Sequence, residues 1–284
     1  MSQLAFTLRI NEDHYYLEVY IDPFNKRIRV DDYRGNLNQV LSKAEDLVKQ
    51  NQAEKLIIKG RKEDTIGFFE WGLQPEAMVD HYFLGSDAYF YSKYYSADRK
   101  KNDHWITEDG IIKSIYQLNK TETKTLPPKE YELIRLDESH ASMLSGLYRQ
   151  VFQIYPTPLN DPDYIIKTMK DGTIYYAYFH QGEIVSAASA EINDFYKNAE
   201  LTDCATLPEH RKYGLMKMIL KELEGELKRR GIFCAYSIAR SLSFGMNAVL
   251  YQLGYAYRGR LMNNVYIYDK LENMNMWVKN LSSC

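Results

Sequence analysis

The sequence predicts an α/β protein of the α+β kind, with a mixed central sheet flanked by helices on both faces. Three observations lead there. Between residues 131 and 270 the patterning runs β-α-α-β-β-β-α-β-α-β-β, strands and amphipathic helices following closely enough to layer around one sheet. The chain is 45% hydrophobic and 26% charged over 284 residues, the balance of a folded protein with an ordinary core. A two-proline stretch, TETKTLPPKE, divides it into a smaller α/β unit at residues 1–125 and a larger one at 130–272, leaving 273–284 as a C-terminal tail.

In the first unit, FTLRINEDHYYLEVYID and KRIRVDDY are β-rich runs around turn residues. NLNQVLSKAEDLVKQNQ carries Leu37, Val40, Leu41, Ala44, Leu47 and Val48 at helical spacing, and KLIIKG is a short buried strand. In the second unit YELIRL is a strand, and ESHASMLSGLYRQVFQIYP is a helix stopped by Pro156. DPDYIIKTMKDG is a helix opened by Asp-Pro and closed by glycine. TIYYAYFHQGEIVSAASAEINDF is a hairpin turning at Gln181-Gly182, and AELTDCATL is a further strand. The next helix places Leu215, Ile219, Leu223 and Leu227 on one face. It ends in Lys228-Arg229-Arg230-Gly231, cations on the negative helix end and then a glycine stop. IFCAYSIA, FGMNAVLYQLGY and RGRLMNNVYIYDKL complete the unit as strand, helix and two strands. Residues 55–95 and 233–271 share the order strand, helix, glycine with apolar residues, strand, strand. This echo fits the general similarity of α/β units as well as it fits common ancestry.

Thirty-six basic and 38 acidic side chains nearly cancel, so the chain shows no electrostatic footprint for nucleic acid or an anionic membrane. No run is long and apolar enough to span a bilayer, and the N-terminus lacks a signal-peptide core. Cys204, Cys234 and Cys284 are odd in number and lack metal-ligand spacing, which suits a reducing cytoplasm and no metal. Twenty-five tyrosines are many, and the sequence alone offers no account of them.

The chemistry concentrates in LPEHRKYGLMKMIL, Leu207 to Leu220, where a helix starts on a glycine. Glycine costs about 1 kcal/mol against alanine in a helix interior, so a bare backbone is wanted there. A helix N-terminus offers unpaired N–H groups and about half a positive charge, a seat for phosphate. Gly214 removes the obstructing side chain, and Arg211 adds a cation. Alone, Arg-x-x-Gly is as readily a plain helix cap. The pattern is neither a Gly-Lys-Ser/Thr phosphate loop nor a GxGxxG fingerprint.

In context, ATLPEHRKYGLM after a strand and before an amphipathic helix resembles the acyl-CoA signature of the GCN5-related N-acetyltransferase (GNAT) superfamily. Asn247, Tyr251, Gly254 and Tyr255 match its second signature, Asn-x-x-x-Tyr-x-x-Gly-aromatic. Met216 departs from the family's Gly or Ala, which implies an altered cofactor turn. The resemblance implies the GNAT acyl-CoA N-acyltransferase fold for 130–272. It implies acetyl-CoA as acyl donor, held by Ala205, Thr206, Leu207, Arg211, Lys212, Tyr213, Gly214, Leu215, Met216 and Asn247. YRQVFQIYP, DPDYIIKTM, AELTDCATLPEHRKYGL, AYSIARSLSFGMN, LMNNVYI and ENMNMW together resemble one branch, the β-lysine N-acetyltransferases. That branch makes the osmolyte Nε-acetyl-β-lysine, and the likeness includes the first unit, expected to be GNAT-like and degenerate.

A lysine-type amine with a pKa near 10.4 must lose a proton before it attacks, which costs about 4.6 kcal/mol at pH 7. The resemblance places the base on the strand before the glycine turn, where Glu200 and Asp203 stand. Their odd separation puts them on opposite faces of a regular strand, so one alone is expected to face the site, with Asp203 preferred. Backbone N–H groups of that strand would hold the oxyanion. Tyr251, at the superfamily's usual tyrosine position, would protonate the departing thiolate; a plain core aromatic is the alternative. Cys204 and Cys234 read as small buried hydrophobes. For the acceptor, Arg240 would take a carboxylate, Ser241, Asn263 and Asn264 the amino end, and Phe152 and Tyr155 would form a lid. The expected partner is a small-molecule amine, with a homodimer left open. Acetylation of another amine and non-catalytic acyl-CoA binding remain the alternatives.

Overall fold

The computed structural model describes residues 5–120, 127–152, 157–267 and 270–282. In the first half, β1 (Phe6–Glu12), β2 (Tyr15–Asp22) and β3 (Arg27–Gly35) form a meander. Helix α1 (Leu37–Gln50) crosses to β4 (Lys55–Gly60), α2 (Thr65–Glu70) follows, and β5 (Gln74–Phe83) and β6 (Ser86–Tyr94) make a hairpin. Two helices close the half, α3 (Ala97–Lys100) and α4 (Trp105–Tyr116); α4 is absent from the sequence expectations. The second half runs β7 (Tyr131–Arg135), α5 (Ala141–Val151), α6 (Pro162–Lys170), β8 (Ile174–His180), β9 (Glu183–Asn193) and β10 (Asn198–Thr206). It continues with α7 (Leu215–Arg229), β11 (Cys234–Arg240), α8 (Phe244–Gln252), β12 (Ala256–Ile267) and β13 (Lys270–Asn280).

Local chemistry explains most of these elements. The β8–β9 turn puts Gln181 and Gly182 both at positive φ, 52° and 84°, as a two-residue hairpin requires. α1 buries Val40, Leu41, Ala44, Leu47 and Val48, and α7 buries Leu215, Ile219, Leu223 and Leu227, the faces their spacing marks. The second half is layered. α7 packs on the sheet face carrying Ala188, Ala190, Ala199 and Leu201, and α5 packs on the opposite face with Ala187, Ala205 and Tyr175.

All strands join one sheet, in the order β1-β2-β3-β4-β6-β5-β12-β13-β11-β10-β9-β8-β7. From the β5–β12 seam outward, β5-β6-β4-β3-β2-β1 on one side has the same order as β12-β13-β11-β10-β9-β8 on the other. Each half has one parallel pair, β3 with β4 and β10 with β11. The internal echo thus extends to a six-strand topology. Residues 273–284, expected to be a tail, contain most of β13, a buried central strand between β11 and β12 that anchors Met276 and Trp277 at 0% exposure. It pairs with β12, the strand just before it, and with β11, more than thirty residues earlier; RGRLMNNVYIYDKL, expected to hold both last strands, holds most of β12 and only the start of β13.

Polar groups lock the seam. Lys55, fully buried, donates to Glu76 at 2.7 Å and to the Met262 carbonyl at 2.6 Å. Asn263 donates to the Arg99 and Lys101 carbonyls at 2.9 and 2.6 Å, and the Asn264 carbonyl accepts from Arg27 and Arg99. Both asparagines, expected at the acceptor, are instead buried bridges between β12 and the first half.

Candidate active site

β10 is where the sheet opens. It pairs in parallel with β11 only at Asn198, Ala199 and Glu200 and has no ladder partner there beyond Glu200. Its pairing with β9 is broken by a bulge between Thr202 and Ala205, with Asp203 at φ +53°. That bulge overturns the expectation that Glu200 and Asp203 face opposite ways. Glu200 lies directly across from Glu191 of β9, so those two share a face. Ser189, two residues from Glu191 and therefore on the same face, donates to Asp203 at 2.7 Å. Three carboxylates and a serine thus converge on the face that α5 and α6 cover, and Tyr164 and Tyr175 complete the surround.

Crowding and burial set the protonation of this cluster. The Glu191 side chain is exposed to solvent at the cavity, but the protein packed around its carboxyl, then the nearby Asp203 and Glu200, push it up to about 8. Glu200 is raised by burial too, against the pull of Arg29 and Lys59. Both carboxyls of the Glu191–Glu200 pair are therefore raised, and the crowded pair holds a proton more tightly than two isolated carboxylates would. Burial moves both described thiols away from nucleophilic character. Cys204 goes well above the ordinary range and Cys234 up to about 12.

Glu191 and Glu200 open onto a cavity of about 430 Å³ between the halves, within the range of small-molecule sites at roughly 300–1,000 Å³. β9, β10 and β11 supply Glu191, Glu200 and Tyr236; β3 and β4 supply Arg29, Asp31 and Lys59. Arg29 forks onto Asp31 at 2.7 and 3.1 Å, and Lys59 meets the same carboxylate at 2.8 Å. Burial alone would raise Asp31, but the two cations hold it far below the usual carboxylate range. Several tyrosines gather here. Arg29 lies over Tyr20 at 4.9 Å, Lys59 donates to the Tyr82 hydroxyl at 3.0 Å, and Tyr82 packs on Tyr236 at 5.8 Å. None of the first-half residues was expected at the site, although the alternation Arg27, Arg29, Asp31 in KRIRVDD is a visible signal of one charged strand face.

At the end of β10, Ala205, Thr206 and Leu207 lead into a 3-10 turn, Pro208–Tyr213, and then Gly214 at φ 66°, ψ 21°. Glycine belongs in that left-handed conformation, and a Cβ added there would meet nothing within 4 Å. The α7 N-terminus carries no side-chain cap; the Lys217 N–H is taken by the Gly214 carbonyl at 3.1 Å, and no side chain occupies the place where a diphosphate would meet the other first-turn amides. Arg211 donates to the Thr206 carbonyl at 3.2 Å, which ties its exposed guanidinium to the turn beside Lys212. Tyr213 packs on Tyr131 at 5.1 Å, and Tyr131 in turn bonds His210 at 2.7 Å. Leu215 is buried and contributes only backbone, and Met216 packs against the core. The turn and helix start therefore fit an acyl-CoA diphosphate, and Met216 leaves them clear.

α8 brings Tyr251 alongside. The next residue, Gln252, accepts from Lys217 in the first turn of α7 at 3.4 Å. The Tyr251 ring packs on Tyr116 and Trp277, with its hydroxyl 3.4 Å from the Tyr116 carbonyl.

Other expected residues sit elsewhere. Asn247 is fully buried. Its amide donates to the Arg240 and Ser243 carbonyls and its oxygen accepts from Trp277 and Asn275, so it braces the β11–α8 turn. Ser241, also fully buried, donates to Asn275. Arg240 forks onto Glu272 at 2.6 and 2.5 Å, so its paired donors are already committed. Phe152 stacks on Tyr148 at 5.8 Å at the end of α5, and Tyr155 lies outside the described residues.

Comparison with known proteins converges on the same chemistry. The "Acetyltransferase (GNAT) family" profile matches residues 140–255. N-acetyltransferase YodP of Bacillus subtilis (strain 168) is 40% identical over 260 residues, 92% of this chain and 94% of that protein. A β-lysine N(6)-acetyltransferase of Methanosarcina mazei is 32% identical over 275 residues, 88% of this chain and 100% of that one. A protein of the same name from Methanococcus maripaludis is 31% identical over 263 residues, 92% and 95%. Likeness at this level along nearly the whole of each relative, first half included, makes this chain a member of the GNAT family, an acetyl-CoA-dependent N-acetyltransferase.

Proposed function

We propose that the enzyme acetylates the ε-amine of β-lysine, giving Nε-acetyl-β-lysine. The supporting observation is the carboxylate cluster of Glu191, Glu200 and Asp203 on the face of β10, at the point where β10 and β11 part. An incoming ammonium is drawn to these carboxylates, and Glu200 takes its proton, directly or through water. The amine nitrogen forms a bond to the acetyl carbon, and backbone N–H groups of β10 beyond Glu200 hold the charge that builds on the carbonyl oxygen. The carbon–sulfur bond then breaks and Tyr251 supplies the proton that leaves with the thiol. Over the cycle, ammonium and thioester become amide, free thiol and one released proton. Two relatives that share the first half are named for β-lysine, which supports that acceptor over other amines.

The test follows CoA thiol release with β-lysine, α-lysine, spermidine, cadaverine and a lysine-containing peptide. β-Lysine should give the highest kcat/KM, and Tyr251→Phe should lower kcat by roughly 10²–10⁴ with little change in acceptor KM. Preference for the peptide or for spermidine would replace the β-lysine reading.

A further inference from the structure

The second half needs only a base, an acyl donor turn and an acid, so the charged wall that the first half presents to the cavity calls for its own explanation. A pocket for a simple polyamine would be lined by anions alone. This one is lined by three cations; Arg9 is paired with Glu18 at 2.6 Å, and the other two, Arg29 and Lys59, are preorganised. Arg29 spends Nε and Nη2 on Asp31 and lies over Tyr20, and its Nη1 has no protein partner among the described residues. Lys59, only 6% exposed, is fixed between Asp31 and the Tyr82 hydroxyl. Two cations share one carboxylate, so the trio carries net positive charge at the cavity that Glu191 and Glu200 also line. Desolvating a second cation is costly unless an anion faces it.

We infer that Arg29 and Lys59 of the first half bind the carboxylate of the acceptor, with the reacting amine beside Glu200 of the same cavity. The first half is then the specificity module, and this assignment replaces the one expected for Arg240, whose fork is occupied by Glu272. Asp31 keeps the two cations at a fixed spacing, as a bidentate carboxylate site requires. The inference rests on the proposed acetylation of an amino acid acceptor and adds which residues read its acid group.

The test compares kcat/KM for β-lysine with that for cadaverine, a similar diamine lacking the carboxylate, in the wild type, Arg29→Gln and Lys59→Met. The wild type should favour β-lysine. In each variant that ratio should fall by roughly 10- to 100-fold, mainly through the KM for β-lysine, as expected for a lost charge-assisted bond. Cadaverine turnover in the same variants reports that they are folded. If the wild type favours β-lysine and both variants keep the preference, the inference is overturned while the proposed acceptor stands. Equal loss on both acceptors would also overturn it, because the cations would then serve the fold or the base. If the wild type uses the two acceptors equally, no carboxylate is read and the β-lysine reading falls as well.

Discussion

Glu191 stands across the β9–β10 ladder from Glu200, and its carboxyl shows how the site stores a proton. Its side chain is exposed to the cavity, yet the protein around the carboxyl and two other carboxylates raise it from an ordinary 4.5 to about 8. Across that window the folded protein holds a proton that the unfolded chain has released. The associated stability is therefore full below about pH 4.5 and is lost as pH rises through about 8. Glu191→Gln removes the titration. Its Tm relative to the parent should climb steadily from about pH 5 to about pH 9, read by thermal denaturation. A constant Tm difference across that range would mean that Glu191 titrates as an exposed carboxylate.

Elements held by near neighbours were legible in the sequence, and elements held by distant ones were not. Gly214, the Gln181-Gly182 turn and the buried faces of α1 and α7 follow from φ preferences and periodicity within a few residues. The Asp203 bulge breaks the alternation on which the two carboxylates were sorted, and no residue type announces it. β13 is missed because β12 is longer than expected and takes up the run RGRLMNNVYI, which pushes most of the last strand into residues 273–280. The seam is the extreme case. Gly259 of β12, at φ +120°, pairs with Ala77 of β5, and a Cβ there would lie 2.3 Å from the Glu76 carbonyl oxygen. Only glycine permits that approach. Gly259→Ala should cost about 1–3 kcal/mol from backbone conformation alone, and more from the clash. Chemical denaturation would measure it, and an unchanged midpoint would contradict so close a β5–β12 contact.

At the scale of the whole molecule, two halves share one strand order but differ where an acyl-CoA would bind. α7 and α1 are the matching crossover helices, each joining the parallel pair of its half. α7 starts on bare, left-handed Gly214 with no side-chain cap on its amides. α1 starts on Asn36, whose side-chain oxygen accepts from the Gln39 amide at 3.2 Å and fills the place an anion would take. The strand before α1 carries no Arg-x-x-Gly, and three of its charges, Arg29, Asp31 and Asp32, line the shared cavity. We therefore expect one acetyl-CoA per chain, held by the second half, with the first half given over to the acceptor. Calorimetric titration should give a stoichiometry of one, and Gly214→Glu, which sets bulk and negative charge against the α7 amides, should abolish that single event in a folded protein. A second CoA per chain, or binding that survives Gly214→Glu, would place a donor site outside the α7 turn and undo this division of labour.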